Sequence, residues 1–220
     1  MYVLVIFITT ADNTEAHHPT DPGIQVNRPR ATGAMSTSTR HAVVRHITRA
    51  CEVSSEQARS LIPTEVSHWG TLQYLSGGDT IRGSEMHATS VRFTRDSTFV
   101  KYTYTFDKNE SFKNKPVVLQ RCTMYGQLLR IVQFEADFIS QGSSNTYLVA
   151  VIRPVKLDKH YADGMGTAYC KINNFGPIVA IDVDDVSCLV ARVPDRGRWA
   201  LYERPYAMGL DSGEEPEDLV

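Results

Sequence analysis

Close cysteine pairs are missing from this chain. Its 220 residues hold four cysteines, Cys51, Cys122, Cys170 and Cys188, and none stands in a Cys-x-x-Cys arrangement. Zinc ribbons and knuckles need such pairs, because one tight turn must present two thiolates to one ion. Four cysteines in so long a chain are also too sparse for a disulfide framework. They are expected as reduced, mostly buried thiols, which fits an intracellular home. No metal and no cofactor is expected.

An excess of one charge is missing as well. The formal net charge is -2. A protein that coats nucleic acid through bulk charge is strongly basic, so any phosphate contact here must come from a local patch. Long apolar runs are also absent near the start. Tyr2–Ile8 falls well short of the roughly 20 residues that cross a bilayer. No Lys or Arg precedes it, and no small-residue cleavage site follows before Asp12-Asn13-Thr14-Glu15, so neither a signal peptide nor a membrane contact is expected. Without a secretory signal, the single sequon Asn109-Glu110-Ser111 carries little weight.

What is present is a globular composition, 42% hydrophobic and 22% charged, in a chain of the size of one domain with tails. Residues 1–40 read as a disordered leader, rich in Thr, Pro, Asn, Ser and Gly beyond residue 10 and without sustained period. Residues 41–66 read as a helical hairpin. Val43, Val44, Ile47 and Ala50 form a stripe at helical spacing, and Ser54 with Gln57 offers a capping box for a second helix that ends near Ile62, before Pro63. Half of a helix-turn-helix is one reading of that pair, and a packing appendage is the plainer one.

Residues 67–207 read as β. Ser90–Thr94 and Thr98–Phe106 flank a turn signal, and Val100, Tyr102, Tyr104 and Phe106 share one face of the second strand. Further strands are expected at Pro116–Thr123, Tyr125–Phe138, Thr146–Leu157 and Ile178–Val183. Tyr147–Ile152 is continuously apolar, as a central strand would be. Cys188–Val193 and Arg198–Glu203 form a hairpin in which Pro194 and Asp195 suit a type I turn and Gly197 a left-handed position. The stretch from Asp158 to Pro177 reads as a loop. Short connections between antiparallel strands predict a mostly β fold closed into a small barrel or sandwich, SH3- or BAH-like, with a short N-terminal helical hairpin. Residues 208–220 form an acidic tail kept solvated by Asp211, Glu214, Glu215, Glu217 and Asp218.

Several segments carry a family likeness in order: Gly77-Gly78-Asp79-Thr80-Ile81, Phe99-Val100-Lys101-Tyr102, Tyr125-Gly126-Gln127-Leu128, Val186-Ser187-Cys188-Leu189-Val190 and Asp195-Arg196-Gly197-Arg198-Trp199-Ala200. The chain resembles, over roughly residues 60 to 206, a domain of proteins encoded by transposons of basidiomycete fungi, near or within Plavaka-like transposase genes. The resemblance implies a mobile-element or host-domesticated origin and a nuclear setting. It assigns no catalytic residue to this segment, and the first forty residues depart from the pattern.

Four constellations can carry function. Asp182 and Asp184 share a face if Ile181–Asp185 is a strand, and a metal-dependent nuclease would need them with a third carboxylate such as Asp163 or Glu203. Solvated acids at a strand end are the plainer reading. Cys170 near His160 lacks any motif that orients a base toward it, and no Gly-x-Ser-x-Gly elbow exists. Arg192, Arg196 and Arg198 flank or occupy the last hairpin and can bind phosphate if the strands bring them together. Tyr102, Tyr104, Tyr125, Trp199 and Tyr202 supply faces for an aromatic pocket that holds a methylated lysine by cation–π attraction, although such residues in strands are more often core. The function expected is a non-catalytic binding module that contacts DNA, histone tails or another transposon-encoded protein. The competing expectation is a fragment of a metal-dependent DNA-cleaving transposase.

Overall fold

Leu148, Ala150 and Ile152 are buried on one side of their strand and Val149 and Val151 on the other, which is why that run is apolar without alternation. The computed structural model describes residues 15–17, 23–75, 80–87, 96–109, 112, 114–137, 145–158 and 167–204. Within them lie β1 (Glu15–His17), β2 (Ile24–Ala34), α1 (Thr37–Ala50), α2 (Ser55–Leu61), β3 (Glu65–Tyr74), β4 (Ile81–Arg82) and β5 (Phe99–Asp107). They are followed by β6 (Leu119–Ala136), β7 (Asn145–Leu157), β8 (Ala168–Phe175), β9 (Val179–Asp182), a 3-10 turn Val183–Asp185, β10 (Val186–Asp195) and β11 (Arg198–Arg204). The expected strand Ser90–Thr94, the acidic tail 208–220, residues 1–14, and His160 and Asp163 lie outside the described residues.

The fold is mostly antiparallel β with two helices. It is not a closed barrel. Pairing runs β6–β5–β10–β11–β8–β7 and returns to β6, but the sheet does not stop there. β6 spans 18 residues and β7 spans 13. Their lengths carry them past that circuit into an open stretch, where β6 pairs with β3 and leads on to β2 and β1, and β7 pairs with β9. Strands this long cannot be satisfied by one small barrel, so the sheet curls in one half and stays open in the other.

A bulge in β6 makes this possible. Leu128 is opposite Ile152 and Arg130 opposite Val151, so Leu129 is the extra residue. One added residue exchanges the faces of the strand. Leu128 and Ile131 therefore enter the same core as Trp69, while Val132, Phe134 and Ala136 face the helices with Leu129.

The helices cover one side of the open stretch. Ala42, Val43, Val44 and Ile47 of α1 pack with Ala58 and Ile62 on Val66, Val149 and Ala180. Ser36 caps α1, its Oγ accepting from Thr39 N, and Ser54 caps α2 by accepting from Gln57 N. At the far end of α2, Arg40 donates to the carbonyl oxygens of Arg59, Ile62 and Pro63. Among the described residues no helix is long and apolar enough to cross a membrane.

Three readings of the sequence differ from the structure. The leader expected to run to residue 40 contains β2, in which Ile24 and Val26 are buried, and α1 starts at Thr37. The helices are thus set between β2 and β3, which pair with one another, and β3 begins at Glu65. The loop expected from Asp158 to Pro177 contains β8, paired with β11. The turn of the last hairpin also differs. Arg196 has φ 47° and Gly197 φ 82°, so both central residues are left-handed, with Asp195 opposite Arg198. That is a two-residue type I′ turn, whose twist matches the paired strands where a type I turn would splay them.

His68 on β3 is buried, with Nε2 3.3 Å from the Gly33 oxygen and Nδ1 without a partner among the described residues. Burial, reinforced by the charge of Arg130, holds its pKa below the usual 6.5. The unfolded chain therefore takes up this proton before the folded chain does, and stability falls as pH drops from about 6.5 toward the folded value. Thermal unfolding at about pH 7.5 and about pH 5 should show this loss, and His68→Asn should lessen it. Identical slopes in both proteins would remove His68 as the cause.

Candidate binding groove

The outer face of α1 lines a groove of about 940 Å3. Its opposite wall is the end of the β5–β6 hairpin, with Asp107, Val117 and Leu119, and it is flanked by Pro177 and Ile178. The start of α2 contributes Ser55 and Arg59. The sequence builds α1 for two jobs. Positions 42, 43, 44 and 47 are apolar and buried, whereas His41 and Arg45 are exposed on the groove side.

Two contacts set the position of α1. Arg49 Nη1 donates to Tyr104 Oη at 3.0 Å and to the Thr105 oxygen at 2.8 Å, with its guanidinium 4.8 Å from the Tyr104 ring centroid. This ties the last turn of the helix to β5. On another side, His46 Nε2 lies 3.2 Å from Asp182 Oδ1 at the end of β9.

The hairpin wall is held by Asp107. Its Oδ1 accepts from the backbone amides of Asn109 and Val118, each at 2.9 Å. That carboxylate is committed to the hairpin's own backbone even though it borders the groove. The bonds present Val117, Val118 and Leu119 in sequence, at 71%, 45% and 57% exposure. Three consecutive exposed apolar residues are unusual on a surface that contacts only water. Thr48 also lines the groove, and its Oγ1 is buried without a partner among the described residues.

The groove was not among the sites expected from the sequence, and those sites are dispersed. Arg192 pairs with Leu201 and Pro194 with Trp199 across the hairpin, while Arg198 pairs with Asp195. Side chains alternate along a strand, so Arg192 and Arg198 point to opposite faces. Arg192 sits over Phe99 at 3.7 Å and over Trp199 at 4.8 Å and donates to Asp96. Arg198 lies over Tyr169 at 5.2 Å and 3.8 Å from Asp195. Arg196 is exposed at the turn. The three arginines do not form one phosphate patch.

The aromatic residues are dispersed in the same way. Tyr102 is fully buried in the core, and Tyr104 lies beneath Arg49. Tyr125 donates to Glu203 at 2.6 Å, and Glu203 also holds Lys101 at 2.7 Å. Burial works against the charged form of Glu203, but these two hydrogen bonds outweigh it and keep its pKa below the usual value. Trp199 is beneath Arg192, and Tyr202 is on the opposite face of β11. No cage assembles from these five.

Asp182 ends β9, and the chain then turns through Val183–Asp185, so alternation does not carry Asp182 and Asp184 to a common strand face. Asp184 is exposed, and Asp185 pairs with Arg121 at 3.0 Å. Among the described residues no group of three His, Cys, Asp or Glu side chains is placed to hold a metal ion. None of the four cysteines is in a disulfide. Burial raises the Cys170 thiol pKa, with Arg192 opposing part of that rise, so Cys170 is not a poised thiolate.

Comparison with protein-family models, with curated proteins and with solved structures found no match. The site therefore rests on its own geometry. Arg45 and Arg49 stand at i and i+4 on α1, a spacing visible in the sequence, but the apolar wall opposite them depends on a hairpin tip more than fifty residues away in the chain.

Proposed function

We propose that this chain is a non-catalytic binding module of a transposon-derived protein, acting in the nucleus on chromatin, DNA or another transposon-encoded protein. The likeness of five segments to the basidiomycete transposon domain supports the origin and the setting. The circuit of β5, β6, β7, β8, β11 and β10 is the part of the sheet we read as barrel-like. The observation that carries the binding role is the exposed run Val117–Leu119, facing an arginine-bearing helix across a groove. Such a patch, concave and rimmed by polar groups, marks an interaction surface.

Affinity capture from fungal nuclei tests this with two baits, the intact chain and the double variant Val117→Ser, Leu119→Ser. Both side chains are exposed, so the variant should keep its fold, verified by its melting curve. DNA sequencing and mass spectrometry of the captured material should show specific partners of the intact chain depleted about tenfold with the variant. Identical recovery by both baits removes the groove as the binding surface.

A further inference from the structure

β2 lies at a margin of the open stretch of the sheet. Its inner edge pairs with β3 from Ile24 to Ala34, but on its outer edge β1 covers only Gln25–Asn27. From Arg28 to Ala34 no strand pairs with that outer edge among the described residues. Arg28, Arg30, Ala31, Thr32 and Ala34 are exposed. A bare edge turns alternate amides and carbonyls outward, and it accepts another strand unless something blocks it. Proteins blunt such edges with charges, prolines and bulges. Here the bulge and Pro29 sit at one end, and Ala31-Thr32-Gly33-Ala34 carries neither charge nor proline. A Cβ built on Gly33 meets nothing within 4 Å, so the space beside the strand is clear there.

The ends of this bare stretch define what fits it. Pro29 has no amide to give, and after Ala34 the chain leaves for the cap of α1 at Ser36. A second copy brings a stretch of the same length. A twofold axis at Thr32 then pairs Arg30–Ala34 of the two copies antiparallel, with no overhang at either end. Ala31 meets Gly33 of the other copy, so small residues face each other at the centre. Arg30 meets Ala34 of the other copy, whose neighbour on β3 is the exposed Glu65. Arg30 keeps its own contacts with the Trp69 ring and Ser67 Oγ, and the acid adds opposite charge beside it. The two Arg30 side chains start four positions apart, about 14 Å along the strands, beyond a screening length of about 8 Å. An unrelated extended peptide would meet the same backbone without the matched length or the acid beside the arginine.

We propose that this chain self-associates through the outer edge of β2, two copies joining antiparallel about Thr32 into one continuous sheet. The inference goes beyond the binding-module reading and does not rest on it. A strand pairing this short buries less than the roughly 1,200–2,000 Å2 of a stable interface, so the dimer is weak and forms as concentration rises.

Sedimentation equilibrium of the full chain, from about 1 µM to about 200 µM, tests this. The apparent mass should climb from 24.6 kDa toward twice that value. Ala31→Lys with Gly33→Lys sets like charges opposite one another across the axis and should weaken association about tenfold or more. A melting curve verifies that this variant is folded. A second measurement reads the register directly and stands even if the lysine variant unfolds. Under mild oxidation Thr32→Cys should give a disulfide-linked dimer, because residues facing each other on paired strands have Cα atoms about 4.5–5.5 Å apart. Ala34→Cys, about 14 Å from its counterpart, should not, and the parent chain with its own four cysteines is the control. A mass constant at 24.6 kDa, or association unchanged in a folded lysine variant, overturns the proposal. So does crosslinking at Thr32 no greater than at Ala34 or in the parent chain. The groove variants enter none of these outcomes, so the two readings stand or fall separately.

Discussion

Trp69→Ala should lower the unfolding free energy by about 4 kcal/mol, a shift on the order of 10 °C in melting temperature for a chain of this size. Trp69 is 1% exposed and sits in the larger core with Ile131, Leu128 and Ile152. Truncation removes the whole indole and leaves a void that rigid strands on both sides cannot close. β3 is held there by β2 on one edge and β6 on the other, with Trp69 itself opposite Arg30 and Ile131. The indole also has a polar duty: Nε1 donates to Gln133 Oε1 at 2.8 Å. Trp69→Phe separates the two effects. It keeps most of the volume but strands the Gln133 carbonyl, and should cost about 1–3 kcal/mol. Chemical denaturation of the three proteins, with unchanged slopes, would make the comparison. Equal stability of Trp69→Ala and the parent chain would mean that the larger core is misplaced.

The second large effect is expected at Gly126, where β6 passes β7 and β5 at once. Gly126 is opposite Pro154 on one side and Val100 on the other. A Cβ there would lie 2.5 Å from Ile152 Cγ2, 2.8 Å from the Arg153 oxygen and 3.2 Å from Pro154 Cα. Two of these atoms are backbone, so a change of rotamer cannot relieve the clash. Gly126→Ala should cost about 3 kcal/mol, and Gly126→Val more, because strands must move apart. Gly33 on β2 is the control, since a Cβ there meets nothing within 4 Å. Gly33→Ala should leave the melting temperature nearly unchanged. If the two alanine variants melt together, the close approach of β6 and β7 is wrong.

The strands most legible in the sequence were those whose burial wrote a pattern. In β5, Val100 and Tyr102 are buried beside the half-buried Lys101 and Thr103, so the period of two survives. In β7 both faces are buried, and the pattern becomes a run. The helices announced themselves through an apolar stripe and the Ser54 cap. By contrast, β2 and β8 were illegible. β2 contains Pro29 and Gly33, and most of its residues beyond Val26 are not buried, so pairing with β3 rather than its own composition holds it extended. β8 has Lys171, Ile172 and Asn173 exposed in its middle, which reads as loop until β11 lies beside it.

The candidate site shows the same limit more sharply. Arg192 and Arg198 are near in sequence and near a turn, but strand alternation sends them to different faces. The pairing register alone decides that, and one residue of slip would reverse it. Tyr104 was expected among pocket aromatics and instead anchors α1 through Arg49. The groove brings α1 against a hairpin tip and the residues before β9, segments that no local window contains together.

The pairing of β5 with β10 has a consequence for how the chain reaches its native state. β5 gains β6 almost at once, by a hairpin, but its other edge waits for β10, in which Leu189 is opposite Val100. While a ribosome delivers the intervening residues, that edge offers unpaired amides and carbonyls to any neighbouring nascent chain. The partner of that edge lies more than eighty residues further along the chain, and pairings so distant in sequence are slow to close as a class.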